Sequence, residues 1–133
     1  SINYIINKKE KQQELSELKQ NKQDLINSGD YFKALKRQFS IYKVQGRKDK
    51  LVELTRFFNS ETGHKNQVLG NLNAMLQLLE HGAKTSLLLK KIIVSLKDLG
   101  FQPPQSAPEI YEFIKNEADK IQKEINEEAK IFI

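Results

Sequence analysis

Cysteine is absent from this chain of 133 residues. That excludes a disulfide framework, a cysteine-ligated zinc site and a thiol nucleophile. It leaves the compartment open, because cytosolic and exported proteins both occur without cysteine. There are only three prolines, two of them adjacent at Pro103-Pro104, so most of the chain is free to be helical. The two histidines, His64 and His81, lie too far apart for a local metal pair. Long apolar runs are missing as well. Lys90-Lys91 interrupts the richest one, so none reaches the ~20 residues of a membrane span. The first residues show no secretory pattern, which fits a soluble protein that is either cytoplasmic or exported with its signal removed. No nucleophile–base pair and no nucleotide-binding signature can be read. The expectation is a protein that is not an enzyme and uses no cofactor or metal.

What is present is helical periodicity. At 38% hydrophobic and 29% charged residues, the chain supports one core and falls outside the disordered class. Its length suits a single helical domain over residues 1–133. The most apolar stretch is residues 68–99. A heptad seam of the coiled-coil kind runs through Leu72, Met75, Leu79, Gly82, Ser86, Leu89, Ile93 and Leu96. A second row holds Leu69, Leu76, Ala83, Leu87 and Val94. So broad an apolar surface must be jacketed by other helices, which predicts surfaces for biology to use and not a pocket.

Taken in order, residues 2–27 read as a first helix with an apolar start (Ile2, Ile5, Ile6) and an apolar end (Leu15, Leu18, Leu25, Ile26). The polar stretch between them predicts a front half that projects or frays, with docking of Ile2, Ile5 and Ile6 on a partner as the functional alternative. Gly29 closes this helix and Asp30 caps the next, making the pair antiparallel. The second helix starts at Tyr31 with a stripe of Tyr31, Leu35, Phe39 and Tyr42, and is expected to run through Gly46 to about Phe58, with a break at Gly46 as the alternative. Ser60 caps a third helix, expected to continue through Gly82 to Leu99, with a turn at His81-Gly82-Ala83 into two shorter helices as the alternative. Gly100 and Pro103-Pro104 then stop the helix. Ser106 and Glu109 open the last helix as a capping box. Its stripe is Ala107, Tyr111, Ile114, Ala118, Ile121, Ile125, Ala129 and Phe132.

Four long helices with short connections predict an all-α, antiparallel up-down helical bundle. The alternative is a short α-solenoid of five to six helices. Residues 27–35 resemble the turn inside a tetratricopeptide repeat. Gly29 and Gly82 are not separated by a multiple of that repeat's length of about 34 residues, however, so no family follows.

Net charge is +5 and unevenly spread. The basic excess lies in residues 31–60 and the acidic excess in residues 101–133. Lys33, Lys36, Arg37, Lys43, Arg47, Lys48 and Lys50 form a basic segment interleaved with Phe32, Phe39 and Tyr42. Clustered cations of this kind neutralise phosphates, although here the aromatics follow the apolar stripe. The function expected first is a non-catalytic module that presents helix faces to a protein partner. Binding of nucleic acid or another polyanion through residues 33–50 is the alternative, and self-association is a third possibility.

Overall fold

A computed structural model describes residues 1–82 and 85–133. It is all-α, with six helices and no strand among the described residues: α1 (Ile2–Asn27), α2 (Tyr31–Gln45), α3 (Lys48–Phe58), α4 (Glu61–His81), α5 (Ser86–Asp98) and α6 (Ala107–Lys130). The backbone forms two compact units. One is Ser1–Thr62 with Ile125–Ile133, the other Gly63–Glu124.

In the first unit, α1 and α2 pack as a hairpin. Its register is antiparallel: Arg37 Nε donates to Asn21 Oδ1, and Lys22 Nζ to Gln38 Oε1. Asp30 occupies the N-cap position of α2 but makes no cap bond, because its carboxylate accepts from Ser28 Oγ at 3.1 Å. Asn126 of α6 takes over that task, accepting from the Phe32 backbone N–H at 3.0 Å.

The expected passage of one helix through Gly46 is corrected. Gly46 adopts φ 68°, ψ 25° and ends α2. The Arg47 N–H donates to the Tyr42 carbonyl at 2.9 Å and the Gly46 N–H to the Lys43 carbonyl at 3.2 Å. This pair of bonds satisfies carbonyls that a helix end leaves open, and it needs a left-handed residue at its centre. Burial supplies the reason for the break. A continuous helix would have put Val52 on the apolar stripe with Leu54 at its margin. The break turns Leu54 inward to 3% exposure and leaves Val52 at 54%. Phe58 then meets Phe32 and Phe39 edge to face at 5.6 and 5.8 Å, and Phe57 meets Phe132 at 4.7 Å. The core here is Phe32, Ala34, Leu35, Ile41, Leu54, Ile125 and Ala129.

In the second unit the expected single helix over residues 62–99 is likewise two helices. α4 ends at His81, and α5 starts after Thr85, an extended N-cap residue whose hydroxyl accepts from the Leu88 N–H at 3.1 Å. Gly82 leaves the helix by a path that excludes a side chain, since a Cβ there would lie 2.5 Å from the Leu78 carbonyl oxygen. The seam is therefore interrupted at Gly82 and Ser86 and is inward again at Leu96. Leu72, Met75 and Leu79 are buried, but Gly82 and Ser86 are exposed. Ala83, expected in the second row, lies outside the described residues. Ile92 and Leu96 form the inward side of α5, and Leu87 and Val94 of the second row face outward at 61% and 57% exposure. On α6, Ile110, Ile114 and Ala118 complete this core.

Candidate functional site

The basic segment is divided by the break at Gly46. Lys33, Lys36, Arg37 and Lys43 lie exposed on α2, which contains no acidic residue. Arg47 is the N-cap residue of α3, and Lys48 and Lys50 fall in its first turn, so no single helix face holds them all. Several of these cations are already engaged. Arg47 pairs with Asp49 at 3.4 Å and Lys50 with Glu53 at 3.5 Å. The hydrogen bond between Arg47 and Asp49 raises the guanidinium and draws the carboxyl below its usual range. Lys36 stands 5.2 Å from the Phe32 ring centre, Lys43 5.4 Å from Phe39 and the Arg47 guanidinium 5.8 Å from Tyr42, each within cation–π reach. Phe32 is buried, and Phe39 and Tyr42 are half-buried. The rings thus support the cations that flank them instead of offering stacking platforms.

One basic residue missed in the sequence lies beside α2. Lys22, half-buried on α1, bonds across to Gln38, and its ammonium is held below the usual lysine range by burial first and by Lys19 second. The signal for it was the hairpin register, which sets the last turns of α1 beside the first turns of α2.

A different kind of surface lies at the other end of α1. No residue of this helix is buried, and residues 2–14 are all exposed. At 1.5 Å per residue α1 is roughly 39 Å long and α2 only about 22 Å, so α1 outruns its partner. Leu15, Leu18, Lys22, Leu25 and Ile26 are the half-buried side chains of α1 itself. Ile2, Ile5 and Ile6 lie roughly 160° around the helix from them at 100° per residue, so they are not a continuation of that stripe. They form a separate apolar face, with the helix start capped by Ser1 Oγ accepting from the Tyr4 N–H at 3.3 Å.

The second unit contains a cavity of about 660 Å³, lined by Leu79, Glu80, Leu89, Ala107, Pro108, Tyr111 and Glu112. Tyr111 Oη donates to Glu80 Oε1 at 2.6 Å. That bond raises the phenol above its ordinary pKa, with burial adding to the effect. His81 Nε2 lies 3.7 Å from the other oxygen of Glu80, and His64 is exposed elsewhere on α4. Among the described residues no group of three His, Asp or Glu side chains is placed to hold a metal ion. Nor is any helix among them long and apolar enough to cross a membrane.

The class these features define is an all-α protein with an exposed helix start in one unit and an apolar cavity in the other. No protein family matches the chain, and no curated protein or solved structure compared with it is similar.

Proposed function

We propose that this chain is a non-catalytic interaction module that presents the leading half of α1 to a protein partner. One observation carries the reading: residues 2–14 form a helix that is exposed throughout, yet that helix bears Ile2, Ile5 and Ile6 on one face. These residues extend a helix already nucleated in its packed half, so they are held by propagation alone, which is marginal in water without tertiary packing. Apolar packing from outside is the natural source of the missing stability, and an amphipathic helix laid in a partner's groove is a common way to provide it. The finer fold reading that goes with this is the arrangement of five to six shorter helices. The interruptions at Gly46 and after His81 support it over an up-down bundle of four long helices.

The test is hydrogen exchange with crosslinking. Amides of residues 2–14 should exchange much faster than those of α2 in the isolated protein. A photo-crosslinker at Ile5 should capture a partner in the native host that one at Val52 does not. With the crosslinker kept at position 5, Ile2→Glu with Ile6→Glu should abolish capture and leave the melting temperature unchanged. Equal capture from both positions would remove the proposal.

A second reading is favoured by the acid-free α2. Lys33, Lys36, Arg37 and Lys43, with Lys19 and Lys22 of α1, suit a polyanion such as nucleic acid. Such binding should fall steeply with salt and vanish in Arg37→Glu with Arg47→Glu. Self-association is the third reading, supported by the outward Leu87 and Val94 on α5. A monomeric mass at high concentration in light scattering would exclude it.

A further inference from the structure

The cavity in the second unit has an apolar floor and an acidic rim. Leu79 from α4, Leu89 from α5, and Ala107 with Pro108 from the first turn of α6 supply the floor. Among the described residues, Glu80 and Glu112 are the charged ones that line it. Tyr111 joins the two parts, with its ring on the cavity and its hydroxyl held by Glu80. Glu112 has no ion pair among the described residues. A volume of about 660 Å³ falls within the range of small-molecule sites, roughly 300–1,000 Å³.

The floor alone would accept any hydrocarbon of suitable size, so the rim decides which. A neutral apolar molecule leaves the carboxylates hydrated and gains nothing from them. An anion is repelled by both. A cation on an apolar body satisfies floor and rim together, and the Tyr111 ring offers it a further attractive face. We propose that this cavity binds a hydrophobic organic cation. Its aryl or branched-alkyl body rests on Leu79, Leu89 and Ala107, and its ammonium or guanidinium meets the carboxylates of Glu80 and Glu112. The same chemistry arrives either as a free amine or as the arginine of a peptide with an apolar neighbour. The site is separate from the face assigned to α1, so either can fail without the other.

The experiment is a titration of the isotopically labelled full chain with phenethylammonium, 2-phenylethanol and 3-phenylpropionate, followed by amide chemical shifts. The shifts should centre on Leu79, Leu89, Ala107 and Tyr111. The cation should bind roughly tenfold more tightly than the alcohol, through two exposed charge contacts of ordinary strength acting together. The carboxylate should bind more weakly than the alcohol. In Glu80→Gln with Glu112→Gln, the cation should fall to the affinity of the alcohol, whose own binding stays the same. The unchanged alcohol distinguishes loss of charge from loss of the folded cavity. Acetyl-Leu-Arg-amide set beside phenethylammonium assigns the source: whichever binds more tightly names a peptide or a free amine. Equal affinity for all three small probes, shifts centred elsewhere, or a preference that survives the glutamine variant would each overturn the proposal.

Discussion

Alanine at Gly46 and alanine at Gly70 should change stability in opposite directions. Gly46 sits at φ 68°, and an added Cβ would find no heavy atom within 4 Å. Its cost is therefore purely a backbone one, about 1–2 kcal/mol for an L-residue in the left-handed region. Against this stands about 0.4–1 kcal/mol from restricting the unfolded chain. The net is a loss of about 1 kcal/mol. Gly70 lies inside α4, without a positive φ and with equally open surroundings. Alanine there removes a helix-interior glycine and should gain about 0.5–1 kcal/mol. In thermal melts followed by far-UV circular dichroism, Gly46→Ala should lower the midpoint by about 3–6 °C and Gly70→Ala should raise it by somewhat less. Urea titrations of both variants should give the same order. The reasoning fails if Gly46→Ala stabilises the protein. That is the result required by one uninterrupted helix from Tyr31 to Phe58, because alanine would then relieve a helical glycine.

Thr85→Ala should lose the bond to the Leu88 N–H and cost about 1 kcal/mol, whereas Thr85→Ser should restore most of it in the same melts. Leu72→Ala, at a fully buried position of α4, should cost about 2–5 kcal/mol by denaturant titration, and Ile5→Ala on the exposed start of α1 less than about 0.5 kcal/mol. Lys22 adds a pH dependence. Its folded pKa lies below the ordinary 10.5, so between those two values the unfolded chain binds more protons, and stability should rise with pH across that window. Stability profiles of the parent and of Lys22→Met check this, since the variant should lack that rise. A parent profile no steeper than the variant's would refute it.

Much of the fold was legible because local chemistry decided it. The all-α class, the bounds of α1, the glycine stops at Gly29 and Gly100 and the start of α6 after Ser106 all follow from capping and periodicity. The inward side of α6 at Ile114, Ala118, Ile125 and Ala129 follows from its stripe. The misses share a physical origin in tertiary contacts. At Gly46 the price of a helical glycine is written in the sequence, but the gain from rotating Leu54 into the core is not. At Gly82 the seam stays in register on paper, while the Thr85 cap and the burial of Ile92 and Leu96 favour a restart. Asp30 looks like a cap, and only α6 reveals that Asn126 serves instead. The cavity was illegible for the same reason. Glu80 and Tyr111 are far apart in the chain, and no pattern within either helix announces their hydrogen bond.

The first unit draws on a segment remote in sequence to finish its interior. Ile125 and Ala129 are sealed inside it, Asn126 holds the start of α2 and Phe132 lies on Phe57. During synthesis the opening helices therefore leave the ribosome with their place for α6 unfilled, until residues 125–133 have emerged as well. A translation pause between residue 62 and residue 133 would prolong the exposure of Phe32, Leu35 and Leu54 to chaperones and proteases.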